Sequence, residues 1–232
     1  MKVACVSYLN TVPLIEGLEK HVDLIRTVPS RIAGMVVSGE ADVGIASLVD
    51  AVREDLTLLP VTMIGADGPA MSVRLFSRRP IEDITDVHVD TDSHTSTVLC
   101  QVVLHGLTGA VPTLTPFDAR ETLAGDPEHW PETFMVIGDK AFGAGSPLHT
   151  HVLDLASGWK ALTGLPFMFA TWMCRPGDEA RVEPIVDLLD RAWRHNRTRL
   201  DHLCAAHASR LGIDHDRAHE YLTRTLRFDV DD

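Results

Sequence analysis

The sequence predicts an α/β protein folded as two lobes with a cleft between them, and three observations lead there. Strand–loop–helix units repeat from the N-terminus, a second set of such units occupies the middle of the chain, and from Glu179 onward the pattern becomes helical. At 232 residues the chain is long enough for one large domain or two small lobes, each with its own core.

Taken in order, Val3 to Val6 is a short apolar run that reads as a strand. Asn10-Thr11-Val12-Pro13 then supplies turn and helix-entry chemistry before Leu14 to Leu18. Val22 to Val28 is a second strand, followed by a helix in which Ile32, Met35, Val36 and Val37 share a face, with Ser30 as its expected cap and Gly39 as its end. Asp42 to Ala46 is a third strand. This β-α-β order calls for a largely parallel sheet with crossover helices.

Met71 to Phe76 reads as a strand, Val87-His88-Val89 as another, and the loop from Asp90 to Ser96 leads into a helix carrying Leu99, Val102, Val103 and Leu104. Phe134 to Asp139 is a strand ending in Gly-Asp, and Pro166 to Trp172 is one more. In the helical region, Ile185, Leu188, Leu189, Ala192 and Trp193 form one apolar stripe, with Pro184 expected in the first turn. A last helix is expected from Asp214, turning Ala218, Tyr221 and Leu222 inward. The simplest division places residues 1–76 and 170–232 in the first lobe and 77–169 in the second, with the two crossings acting as a hinge.

Composition narrows the function. Apolar residues make up 45% and charged residues 23%, an ordinary globular balance, and the formal charge of −12 argues against a nucleic-acid partner. A small anionic substrate stays compatible, because backbone N–H groups at helix starts attract one locally. Cys5, Cys100, Cys174 and Cys204 are too widely spaced for a zinc knuckle or redox dithiol and read as buried thiols. No apolar run approaches the ~20 residues needed to cross a bilayer, and no signal h-region forms at the N-terminus; the expectation is a cytoplasmic protein with no membrane partner.

Three polar loops follow apolar strands: Ser7-Tyr8-Leu9-Asn10-Thr11, Ser93-His94-Thr95-Ser96 and Gly138-Asp139. In open α/β sheets, ligands collect beyond the carboxyl ends of strands, so these loops are the expected site. The competing explanation for Ser93, Thr95 and Ser96 is simple helix capping. No G-x-S-x-G, H-E-x-x-H or Walker pattern is present, and the His149/His151 and His215/His219 pairs lack the companions of a metal site; neither metal nor cofactor is expected.

These segments together resemble the chorismate dehydratases of futalosine-dependent menaquinone biosynthesis. The resemblance rests on Val6-Ser7-Tyr8-Leu9-Asn10-Thr11-Val12-Pro13-Leu14, Pro29-Ser30, Gly39 to Gly44, Ser72 to Ser77, Asp92 to Ser96, Ile137-Gly138-Asp139, and Asp154-Leu155 through Trp159 to Thr163-Gly164-Leu165-Pro166-Phe167. It implies a two-lobed, type II periplasmic-binding-protein-like fold used as an enzyme without metal or organic cofactor. Two departures from that pattern are a short stretch from Ala51 to Pro60 and His94 where an Arg is more usual. The implied partner is a small dicarboxylate, chorismate, which loses water to give 3-[(1-carboxyvinyl)oxy]benzoate.

On that resemblance, Asn10 and Ser72 are the expected catalytic residues, acting from the first lobe. Ser7, Tyr8, Thr11, Ser47, Ser93, Thr95, Ser96, Gly138 and Asp139 are the expected substrate contacts. The proton-abstracting base is either Asp139 or the substrate's own enolpyruvyl carboxylate, with Asp139 as a loop anchor in the second case. Other readings of the same fold are a small-anion solute-binding protein, the related dihydroxynaphthoate synthase, and a regulator's effector domain, the last without a DNA-binding helix pair ahead of it.

Overall fold

The structure is a computed structural model that describes residues 1–230. The chain divides into two compact units, residues 1–65 together with those from 168 onward, and residues 66–167.

The first stretch of unit 1 runs β1 (Lys2–Val6), α1 (Val12–Ile15), β2 (Asp23–Thr27), α2 (Pro29–Ser38), β3 (Val43–Ser47), α3 (Leu48–Arg53) and β4 (Thr57–Ala66). β1 pairs in parallel with β2, from Lys2↔Asp23 to Val6↔Thr27, and with β3 at Val3↔Val43 and Ala4↔Gly44. α2 starts one residue earlier than its expected cap. Pro29, whose φ is already helical, occupies the first turn behind extended Val28, so Ser30 lies inside the helix and makes no cap. Gly39 ends α2 at φ 79°, a left-handed conformation that costs glycine little. A Cβ on Gly44 would run into Ile32 and Val36, so α2 sits directly on the β3 backbone.

Unit 2 contains β5 (Val73–Ser77), β6 (Asp86–Asp90), α4 (His94–Thr108), β7 (Thr113–Phe117), α5 (Ala119–Leu123), β8 (Thr133–Ile137), α6 (Lys140–Gly143), β9 (His151–Asp154) and α7 (Leu155–Thr163). Its sheet has the order β7-β6-β8-β5-β9. β6 is parallel to β7 and β8, whereas β5 is antiparallel to β8 and β9. The boundary expected after Phe76 is therefore corrected: β5 pairs wholly inside unit 2, and the crossing falls between residues 65 and 66. Phe134, fully buried, stacks on Phe76 at 5.3 Å and meets Phe117 and Trp130 edge-on. On the helical side α4 meets α7 at Gly158, where an added Cβ would lie 2.5 Å from Val103 Cγ1.

The chain returns to unit 1 with β10 (Phe167–Cys174), α8 (Glu179–Asn196), α9 (Leu200–His207), α10 (His215–Glu220) and β11 (Leu226–Arg227). The sheet of unit 1 then reads β11-β4-β10-β3-β1-β2, with β10 antiparallel to β3. Fully buried Trp172 donates Nε1–H to Thr62 Oγ1 at 2.8 Å, and Thr171 donates its hydroxyl to the Thr62 carbonyl at 3.0 Å, binding β10 to β4. α8 buries Val182, Ile185, Leu189 and Trp193. Pro184 lies in its second turn, not the first; the ring is exposed, and the helix forgoes one N–H donor there. Asp214 caps α10, accepting from the N–H groups of Asp216 and Arg217 at 3.0 and 3.2 Å. All four cysteines are free and buried, and burial pushes the Cys5 and Cys100 thiols up to about 12. No described helix is long and apolar enough to cross a membrane.

Candidate functional site

In unit 1, the carboxyl ends of β1 and β3 adjoin because the strands are parallel neighbours. Ser7, Tyr8, Asn10 and Thr11 follow β1, and Ser47 closes β3. The sequence after β1 cannot extend the strand, since Leu9–Thr11 turns in a 3-10 helix held by Thr11 N–H to the Tyr8 carbonyl at 3.1 Å. Within that turn Thr11 donates its hydroxyl to Asn10 Oδ1 at 3.0 Å. This fixes the Asn10 amide, and its Nδ2 has no hydrogen-bond partner among the described residues although only 8% of the residue is exposed. The hydroxyl of Ser47, a residue only 3% exposed, also lacks a partner among them. Neither atom is among the fully buried partnerless side-chain atoms, which among the described residues are His88 Nδ1 and His149 Nδ1, so both groups are open to a ligand or water. Asn196, itself buried, donates Nδ2–H to the carbonyls of Pro13 and Glu16 at 3.1 and 3.0 Å and so anchors α1 behind the loop.

Unit 2 gathers its polar residues the same way. β6 and β8 are parallel neighbours, so Ser93–Ser96 after β6 and Gly138-Asp139 after β8 lie at one end of the sheet. Ser72, just before antiparallel β5, joins them: Gly138 donates N–H to the Ser72 carbonyl at 2.8 Å from a left-handed φ of 66°. Ser72 thus belongs to unit 2, and its expected place in the first lobe is corrected by the pairing of β5. Ser93 caps α4, its Oγ accepting from Ser96 N–H at 3.1 Å. The hydroxyl of Ser96 is different: the residue is 3% exposed and that oxygen has no hydrogen-bond partner among the described residues. Thr95 is buried beside it, in the first turn of α4, where the helix dipole favours an anion.

Asp154 holds the approach to Ser72. Its carboxylate accepts from Ala70 N–H at 3.0 Å and Met71 N–H at 2.7 Å, and it caps α7 by accepting from Ala156 and Ser157 at 3.1 Å. Met71 has φ 61°, a left-handed conformation unfavourable for a residue with a side chain, and the Asp154 clamp compensates it.

Sequence reading did not anticipate the ion cluster beneath these loops. Lys140 Nζ lies 2.7 Å from Asp90 Oδ2 and 2.5 Å from Asp92 Oδ2, and Arg120 reaches Asp92 at 2.6 Å. Asp90 also accepts from Ile137 N–H at 3.1 Å and Asp92 N–H at 3.2 Å. Burial pushes the Asp90 carboxyl above its ordinary value, and Lys140 only partly opposes this. The cluster ties the carboxyl ends of β6 and β8 together and so sets the spacing of the Ser93–Ser96 and Gly138-Asp139 loops.

Comparison with known proteins bears on the family and the fold. A chorismate dehydratase of Thermus thermophilus is 28% identical over 227 residues, covering 89% of this chain and 81% of the relative. Among solved structures, protein AF1704 from Archaeoglobus fulgidus matches with a TM-score of 0.67 at 14% identity, over 100% of this chain and 88% of the other. The periplasmic aliphatic sulphonate binding protein SsuA from Escherichia coli also matches at 0.67 and 14%, over 98% and 84%. A Candida albicans protein described as having the generic periplasmic binding protein fold matches at 0.66 and 14%, over 99% and 82%. The fold is therefore periplasmic-binding-protein-like and two-lobed, as the sequence predicts. The family model for menaquinone biosynthesis matches residues 1–232, and the chain belongs to that family.

Proposed function

We propose that the protein is a chorismate dehydratase, a hydro-lyase that converts chorismate to 3-[(1-carboxyvinyl)oxy]benzoate and water in the futalosine route, in the cytoplasm. The observation that carries the reading is the partnerless amide of Asn10, a residue only 8% exposed, fixed as a donor by Thr11 in the loop that the chorismate dehydratase resemblance singles out. The similarity of the Thermus relative supports the same reaction.

In that reaction a ring C–H proton and the neighbouring ring hydroxyl leave together as water, and no oxidant or second substrate is required. The ring becomes aromatic, so the protein has to orient the dianion and stabilise charge on its carboxylate. Asn10 and Ser47 in unit 1 donate to the substrate, together with Ser7, Tyr8 and Thr11. Ser72, Ser93, Thr95 and Ser96 in unit 2 hold a carboxylate at the start of α4, with Gly138 shaping the loop through its bond to the Ser72 carbonyl and Asp139 contacting the substrate away from that carboxylate. The proton passes to the enolpyruvyl carboxylate or to Asp139, and Asp139→Asn separates the two, abolishing turnover only in the second case.

The test is incubation of purified protein with chorismate, followed by chromatography and mass detection. A product lighter than chorismate by one water and carrying a benzenoid spectrum is expected. Chorismate bound tightly but recovered unchanged would replace the proposal with the solute-binding reading. A purified protein with native circular dichroism that neither binds nor converts chorismate would remove both.

A further inference from the structure

Unit 1 holds a cavity of about 480 Å³ lined by Ser7 and Tyr8 and by residues far along the chain, His207 and Arg210. Its size suits a single small molecule. Arg26, at the end of β2 opposite Cys5, and Arg210, after α9, both line it. Neither guanidinium has an ion-pair or hydrogen-bond partner among the described residues, although the chain carries 33 Asp and Glu against 21 Lys and Arg. The lining carboxylate, Glu16, is already engaged by His207 Nε2 at 3.2 Å. The polar wall is therefore cationic inside an anionic protein. Val12, Ile15 and Leu211 line the same cavity and supply apolar surface.

We propose that this cavity binds a small carboxylate with an apolar ring, its anionic end held by Arg26 and Arg210 and its ring against Val12, Ile15 and Leu211. A guanidinium matches the planar fork of a carboxylate, and the apolar lining favours a ligand that carries a ring over a bare inorganic anion. The Ser7 hydroxyl, on the exposed rim, adds a donor. The inference does not depend on the dehydratase reading, because binding is measured without turnover.

Isothermal titration of the full-length protein with benzoate at low salt tests it. Saturable binding is expected, weakened about tenfold or more in the Arg26→Met/Arg210→Met double variant, whose exposed positions leave the melting temperature unchanged. Inorganic phosphate should bind much more weakly than benzoate. If the protein turns over chorismate, competitive inhibition by benzoate that is lost in the double variant identifies the cavity as part of the substrate's seat, and non-competitive inhibition lost in that variant identifies a second carboxylate site; inhibition unchanged in the variant would overturn the proposal. Absence of benzoate binding, an affinity unaltered in the double variant, or phosphate binding as tight as benzoate would overturn it.

Discussion

Replacing Lys140 by Met leaves Asp90, whose side chain is 1% exposed, without its cation. Removing one member of a buried ion pair costs about 3–5 kcal/mol, because the remaining charge is desolvated and uncompensated. Here the lower end applies: Asp92 keeps Arg120 at 2.6 Å, and Asp90 keeps two backbone N–H donors. A loss of about 3 kcal/mol in a chain of this size lowers the melting temperature by roughly 6–12 °C. The pH dependence has a definite sign. Burial already raises the Asp90 carboxyl in the folded protein, and losing Lys140 raises it further. A carboxyl whose folded value lies above its unfolded value takes up a proton more readily when folded. The penalty is then complete above the folded value and shrinks as pH falls toward the ordinary aspartate range near 4. Differential scanning calorimetry at pH 8 and pH 5 reads both effects. A deficit below about 2 °C at pH 8, or one that grows on acidification, would refute the reasoning.

Other predictions rest on separate features. Asn10→Asp puts a negative charge where an amide donor faces the proposed dianion, and kcat/KM for chorismate should fall about 10²–10³-fold while circular dichroism stays native, since Thr11 can still donate to the carboxylate. Asp154→Ala strips the acceptor from four backbone N–H groups and should cost about 2–4 kcal/mol in urea unfolding; adding Met71→Gly should restore about 1 kcal/mol by relieving the left-handed backbone. His149 is buried and its pKa is pushed down, first by burial and then by the Arg78 cation, against the opposing Pro131 carbonyl. The unfolded imidazole protonates near 6.5, so stability falls as pH drops below that value, and His149→Phe should flatten this part of a melting-temperature profile. Gly158→Val should drive a side chain into Val103 and cost about 1–3 kcal/mol by thermal melting.

What the sequence disclosed was local in its physics. Asp214 marks a helix start because its side chain satisfies N–H groups two and three residues ahead, and Gly39 marks an end because its backbone must turn left-handed. The Leu9–Thr11 loop and the Ser93 cap were legible for the same reason. Ser30 misled because Pro29 competes for the same turn and sets the start earlier. β4 escaped notice, since Pro60 and Gly65 interrupt Thr57–Ala66 and its buried residues do not alternate cleanly. Assigning β5 to the wrong lobe followed from strand pairing being non-local: its partners lie near residues 135 and 152. The Lys140 cluster and the arginine-lined cavity were hidden alike, with Lys140 fifty residues from Asp90 and Arg26 nearly the whole chain from Arg210.

Initial rates of benzenoid product formation from chorismate, measured side by side for the unaltered protein and Asn10→Asp, test the central claim most directly. The account predicts multiple turnovers by the first and a rate at least a hundredfold lower, of about that order, for an equally folded second. Equal rates would remove Asn10 from the chemistry, and no aromatic product from either would contradict the assignment as a dehydratase.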